Sequence, residues 1–311
     1  MKRSVETIAA LRARFHAEGL DAAELERLQD DPRAGVRRLV QTARRRAASA
    51  TAELDRLRDL TRFEAAFWER GFLRVAGVDE VGVGTLAGPV VAAAVVLPPG
   101  LLLPGVDDSK RLSRRRRREL AEQIRARAVS YALGVCTVTE IDRHHIAVAT
   151  RIAMRRAVDG LSPAADHVLT DAHRIDALAV GQTPLASGDR RSQSVAAASI
   201  LAKVERDAMM EGLATAHPGY GFERNRGYGT ADHLAALRSL GPCAVHRRSF
   251  GPVRDAAVSR AEPVASAAAS GSGASRAEVT APPANVASHL AQMRPLDHAP
   301  HRAAGSGDAD G

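Results

Sequence analysis

The chain has 311 residues, a formal net charge of +8 and 45% hydrophobic residues, the balance of a globular protein with a basic surface suited to a polyanionic partner. Its two cysteines, Cys136 and Cys243, exclude a disulfide framework, and Pro89, Pro98 and Pro99 keep the best apolar run short of the roughly 18 residues a membrane helix needs. Glu6 and Arg12 interrupt the apolar core that a secretory signal requires, so a cytoplasmic protein with no membrane association is expected.

Residues 1–73 are rich in Ala, Arg, Glu and Leu at helical spacing and predict a small helical module. Asp31 followed by Pro32 reads as an N-cap with proline at the first helical position, ending one helix and opening another. "TAELDRLRDLTRFEAAFWERGF" predicts a further helix. From 74 to 255 strand-like and helix-like segments alternate, which predicts an α/β domain. "RVAGVDE", "GPVVAAAVVLP" and "YALGVCTV" read as strands, and "TEIDRHHIAVATRIAMRRAVDGL" as one helix stopped by Gly160 and Pro163. "DHVLTD" and "DALAVG" read as two more strands, and "SVAAASILAKVERDAMMEGL" as an alanine-rich helix with a buried face. The Arg114–Arg118 run opens a helix after Ser113 and reads as a solvated basic face, with general attraction to nucleic acid as a secondary effect. Residues 256–311 are small, polar and proline-bearing, and predict a disordered tail.

The chemistry concentrates in "RVAGVDEVGVGTLAGPVVAAAVVLP", where Asp79 and Glu80 sit side by side in an apolar stretch. Burying unpaired carboxylates costs several kcal/mol at least, of the order given for isolated buried charges. The Gly82, Gly84 and Gly88 run does not make a dinucleotide-binding loop, because proline and β-branched residues follow where a helix N-terminus is needed. A tight glycine turn between two strands instead lets backbone N–H groups approach a ligand. Asp171 ends one strand and Asp189 follows the strand-like "ALAVG" across a short loop, so four carboxylates from three segments can converge at one end of a sheet. All-oxygen sets of this kind select hard divalent cations, and a pair of them can activate water and stabilise the leaving oxygen of a phosphodiester. Asp207, inside a helix beside Glu205 and Arg206, reads as structural or surface-bound.

These segments resemble the ribonuclease HII family. The opening stretch looks like its D-E-x-G-x-G signature, "DDSKRLS" like its D-S-K-x-L block, and "SGDRRSQSVAAASILAKVERDAMM" like its G-D…A-A-A-S-I-x-A-K-V-x-R-D segment. "HPGYGFERNRGYGTADHL" and "GPCAVHRRSF" resemble its C-terminal blocks, so the likeness runs in order from about Arg74 to Val253, and the helical extension is similar to that of longer members. The resemblance implies a ribonuclease H-like fold, a mixed sheet flanked by helices, with a helical C-terminal segment carrying Tyr228. It implies a monomeric endoribonuclease that cuts RNA–DNA hybrids, and ribonucleotide-containing duplex DNA on the 5′ side of the ribonucleotide. The ends left are 5′-phosphate and 3′-hydroxyl. It places two divalent cations, Mn²⁺ or Mg²⁺, on Asp79, Glu80, Asp171 and Asp189. It assigns 2′-hydroxyl sensing to the backbone of Gly82, Val83 and Gly84, a phosphate contact to Lys110, and stacking on a deoxyribose to Tyr228.

Three residues depart from the family pattern. Val83 stands where arginine is usual, and a β-branched residue tolerates positive φ poorly. Ala172 follows Asp171 where glycine is usual, and Ser187 precedes the Gly188–Asp189 pair where lysine or glycine is common. The rival reading is a hybrid-binding protein of the same fold whose cleavage the altered turn has weakened; all four acids argue against it, since binding a polyanion gains nothing from them.

Overall fold

The computed structural model describes residues 6–261; the expected tail lies outside the described residues beyond Ala261. Four helices open the chain: α1 (Ile8–Ala17), α2 (Ala22–Leu28), α3 (Ala34–Leu60) and α4 (Arg62–Trp68). Asp31 and Pro32 do not start α3 as expected. The Asp31 carboxylate accepts from the N–H and guanidinium of Arg33 at 2.7–2.9 Å, and this local turn delays the helix by two residues. The helix expected over "TAELDRLRDLTRFEAAFWERGF" is the second half of α3 plus α4, broken at Thr61 and ended at Trp68.

A five-stranded mixed sheet follows, with order β3-β2-β1-β4-β5. β1 (Val75–Val81) pairs antiparallel with β2 (Val90–Val96), and β2 with β3 (Ser130–Cys136). β4 (His167–Asp171) runs parallel to β1, and β5 (Gly181–Leu185) parallel to β4. β2 has no polar side chain because both its faces are covered, and all seven residues are buried. The strand expected over "DALAVG" is absent. Ala177 turns there in the left-handed region, Leu178 and Val180 pack on the core, and the strand forms afterwards. β5 tolerates Pro184, which lacks an N–H, because it is the sheet edge.

Helices cover both faces. α5 (Arg114–Arg127) and α8 (Gln193–Ala216) lie on one side, and α6 (Val138–His144) and α7 (Ile146–Asp159) on the other. The single helix expected over "TEIDRHHIAVATRIAMRRAVDG" breaks at His145, whose φ of 64° no helix accommodates. α8 presses closely on β1: a Cβ at Gly77 would stand 2.0 Å from the Ser194 carbonyl carbon. α9 (Phe222–Asn225), α10 (Ala231–Leu240) and α11 (Gly251–Ala261) complete the chain, and α11 runs past residue 255, where the tail was expected to begin.

The N-terminal helices share the core of the sheet. Leu57 and Leu60 of α3 pack with β2, α5 and α8, and Phe63, Phe67 and Trp68 pack near Val75 and Leu169. Glu64 of α4, 3% exposed, accepts from the Ser194 N–H at 2.9 Å and the Ser192 hydroxyl at 2.6 Å. A carboxylate is thereby placed at the positive N-terminus of α8.

Candidate active site

Parallel strands bring their C-terminal ends to one edge of a sheet, where ligands gather in α/β folds. Here β1 contributes Asp79 and Glu80, and β4 contributes Asp171. The pairing Val78↔Thr170, carried one residue further, sets Asp171 beside Asp79. A 3-10 turn after β5, Gly188–Arg190, contributes Asp189. Gly188 donates its N–H to Asp171 Oδ1 at 2.6 Å, tying that turn to the end of β4. The four acids expected from the sequence therefore share one edge.

Neighbouring residues of a strand face opposite sides. Asp79 points toward α8, where the Ser199 hydroxyl helps hold it, and its Oδ1 accepts the Glu80 N–H at 2.8 Å. Glu80 reaches the same edge from the other face. Burial, then the neighbouring Glu80, push the Asp79 carboxyl well above the usual carboxylate range. Burial, then Asp171, raise Glu80 to about 7, against the counterpull of Lys110. Burial also raises Asp189, followed by Asp171 and Asp108, with Lys110 and Arg190 opposing. Lys110 is thus an electrostatic neighbour of this group.

These residues fit hard divalent cations. Glu80 Oε2 is buried without a hydrogen-bond partner in the protein, and the donors are carboxylate oxygens alone. Among the described residues no three His, Cys, Asp or Glu side chains are already gathered around one point. Approach from opposite faces of β1 and repulsion between like charges both oppose such closure.

The glycine turn is a second structure at this edge. Gly82 has φ 91°, and a Cβ there would lie 2.1 Å from Arg206 Nε. Val83 does not take positive φ, so the strain expected of a β-branched residue does not arise; Gly82 absorbs the reversal. Arg247, fully buried, donates to the carbonyls of Gly82 (2.6 Å), Val83 (2.8 Å) and Gly88 (2.9 and 3.0 Å). Arg206, also fully buried, donates to Pro89 O (3.0 Å), Arg226 O (2.9 Å), Ala87 O (3.1 Å) and the Thr85 hydroxyl (2.8 Å). In a trans peptide the N–H points opposite the preceding carbonyl. Fixing the carbonyls of Gly82 and Val83 therefore aims the Val83 and Gly84 N–H groups away from Arg247, on the side where Gly84 is exposed. Tyr228, 43% exposed, stands beside this turn: the Gly227 carbonyl before it accepts the Leu86 N–H at 2.8 Å.

Sequence reasoning passed over Arg206 and Arg247. Each is flanked by polar or charged residues, Glu205 and Asp207 or His246 and Arg248, so only tertiary contacts reveal that it is buried and which carbonyls it serves. It also passed over Asp108, 3% exposed, which accepts the Lys110 N–H at 2.9 Å and Arg190 Nη2 at 3.2 Å. Asp207 is apart from the four acids, paired with Lys203 at 2.6 Å and with Arg117 and Arg226 at 3.9 Å.

The family model described as Ribonuclease HII matches residues 76–253, and that of the Ribonuclease HII N-terminal domain matches residues 7–68. The chain belongs to the ribonuclease HII family. It is 48% identical over 252 residues to ribonuclease HII of Anaeromyxobacter sp., a match covering 80% of each chain. It is 45% identical over 256 residues to that of Geobacillus kaustophilus, covering 82% of this chain and 97% of the relative. The crystal structure of ribonuclease H2 from Pyrococcus horikoshii superposes with a TM-score of 0.53 at 23% identity, over 61% of this chain and all of the other, a likeness of fold. As a ribonuclease HII the chain is a ribonuclease H enzyme, whose activity is on RNA–DNA hybrids. No helix among the described residues is long and apolar enough to cross a membrane.

Proposed function

We propose that this ribonuclease H is a cytoplasmic, monomeric endonuclease that cuts the RNA strand of hybrids and also incises 5′ to single ribonucleotides in duplex DNA. Asp79, Glu80, Asp171 and Asp189 would hold two divalent cations, Mg²⁺ or Mn²⁺. When bound, such a pair activates water and neutralises charge on the scissile phosphate and its leaving oxygen. One observation carries the reading: Asp79 and Glu80 of β1, Asp171 of β4 and Asp189 of the 3-10 turn share one sheet edge, and Glu80 Oε2 is buried with no partner among the described residues.

The remaining residues orient the substrate. The Val83 and Gly84 N–H groups, aimed outward by Arg247, are suited to a ribose 2′-hydroxyl, the atom that separates RNA from DNA. The exposed ring of Tyr228 offers a flat surface to the neighbouring sugar. Lys110, its backbone pinned by Asp108, would take a phosphate beside the acids.

The test is cleavage of a labelled duplex carrying one ribonucleotide, with Mg²⁺, with Mn²⁺ and with chelator, beside Asp79→Asn. Metal-dependent cutting 5′ to the ribonucleotide, lost in the variant, is expected. Binding without cutting in either metal would overturn the proposal.

A further inference from the structure

Two groups of arginines in this chain differ in their partners. On α5, Arg114 to Arg118 pair in turn with Glu211, Glu119, Glu119, Asp207 and Glu211. On α3, Arg37, Arg44 and Arg45 lie at helical spacing on one exposed face. The ion pairs of this end of the module join Arg14 to Glu6 and Glu24, Arg27 to Glu24, and Arg33 to Asp31. Among the described residues Arg37, Arg44 and Arg45 form none. Arg37 donates to the carbonyls of Asp31 (3.1 Å) and Pro32 (2.6 Å), and Arg44 to Gln29 Oε1 (2.8 Å). Those acceptors are neutral: they orient the side chains and leave the charge uncompensated. The one carboxylate Arg37 feels, Asp31, is held by Arg33. Together with Gln29 and Gln41, the three arginines line an open groove of about 400 Å³.

The groove is joined through α3 to the core of the sheet. Residues 44–52 of α3 are exposed on every side, while Leu57 and Leu60 at its far end are buried in the core of the sheet. Glu53 accepts the Gly105 N–H at 2.8 Å, and Arg56 donates to Val106 O at 2.9 Å. From Gln41 to Leu57 the helix rises about 24 Å at 1.5 Å per residue, the length of about seven base pairs at 3.4 Å each. A helix exposed on every side over residues 44–52 and free of large apolar side chains there serves as a strut.

We infer that this groove is a second duplex-binding site, in which Arg37, Arg44 and Arg45 take backbone phosphates of the nucleic acid whose ribonucleotide lies at the four acids. The inference rests on the substrate class proposed above. Three uncompensated guanidiniums with two amides offer forked donors to phosphate oxygens and nothing that reads a base, so the contact is with the backbone and independent of sequence.

The experiment measures, in chelator, the affinity of the full chain for a duplex of about 30 base pairs carrying one ribonucleotide, as salt rises from about 50 to about 200 mM. Neutralising three phosphate contacts lowers the salt slope by about 0.9 each, so wild type should lose about 40-fold more affinity over this range than R37Q/R44Q/R45Q. Arg115→Gln, which removes an exposed but ion-paired arginine, should leave the slope nearly unchanged. An unaltered slope in the triple variant, or an equal effect per charge from Arg115→Gln, overturns the inference. With Mg²⁺ and saturating substrate, the same duplex of about 30 base pairs should be cut at one maximal rate by wild type and triple variant. Failure of both to cut it would sink the proposed reaction, while the slope comparison still decides the groove.

Discussion

Arg247 donates from Nη2 to the carbonyl of Gly82 at 2.6 Å, and through that planar peptide it decides where the Val83 N–H points. Among the described residues it alone has side-chain hydrogen bonds to three carbonyls of the turn, those of Gly82, Val83 and Gly88. Burial and the nearby Arg206 lower the Arg247 guanidinium to about 9, which leaves it charged at neutral pH. Lysine cannot reproduce the fork. Arg247→Lys should lower stability by about 3–6 kcal/mol, from two lost charge-assisted hydrogen bonds at about 1.5–3 kcal/mol each. It should also raise KM for a ribonucleotide-containing duplex while metal binding persists; calorimetric titration with Mn²⁺ beside steady-state kinetics separates the two.

Glu80 has its folded pKa raised from 4.5 to about 7. A raised carboxyl favours the folded state fully below about 4.5, and that contribution is lost as pH climbs through 7. In chelator, Glu80→Gln should therefore melt above wild type at pH 8, by about 2 kcal/mol after allowing for partial exposure, and match it near pH 4.5. Its cleavage activity should be abolished. Wild type melting above the variant at pH 8 without metal would contradict this account of the acid cluster.

Ala172 and Ser187, which bracket Asp171 and Asp189, take φ of 55° and 54°. Left-handed backbone costs a residue bearing Cβ about 1–2 kcal/mol, partly offset because glycine loses about 0.5–1 kcal/mol more entropy on folding. Ala172→Gly and Ser187→Gly should each stabilise the protein by about 0.5–1 kcal/mol, net of these two. Urea unfolding of each variant checks the sign.

Val83 is half-buried and carries ordinary backbone angles beside the exposed Gly84. A guanidinium can be added there without strain. Val83→Arg should tighten binding of a ribonucleotide-containing duplex about tenfold, the effect of one modest charge-assisted contact, with an unchanged melting temperature. Titration by fluorescence anisotropy in chelator reads it.

His246 and His233 form a buried relay behind Tyr228. The Cys243 N–H donates to His246 Nδ1 at 3.0 Å, so His246 Nε2 carries the proton given to His233 Nε2 at 3.0 Å. His233 Nδ1 then donates to the Tyr228 carbonyl at 2.8 Å. Burial, then His233, lower His246 to about 4. A lowered histidine supports the fold fully above about 6.5, and that support is lost as pH falls toward 4. Urea unfolding of the Glu80→Gln variant from pH 7 to pH 5 should show falling stability. A flat profile would remove the histidines from this role.

The sequence by itself determined the chemistry of this protein. Asp79 and Glu80 in an apolar strand, a glycine turn that no helix follows, and the order of the later blocks were legible because each is a local pattern of residue type and spacing. Four strands were legible for the same reason. β5 was not, because "GQTPL" has no strand pattern of its own and becomes a strand only where β4 offers an edge. The break at His145 was hidden because apolar spacing continues across it. Which acids stand together was decided by parallel pairing of β1 with β4 and of β4 with β5, contacts between residues some ninety positions apart in the first case. The same is true of the two kinds of arginine. Five in a row on α5 look like a nucleic-acid patch, yet each pairs with a carboxylate of α5 or α8, while Arg37, Arg44 and Arg45 form no ion pair among the described residues. Charge is written in the sequence; whether it is neutralised depends on distance, and distance belongs to the tertiary structure.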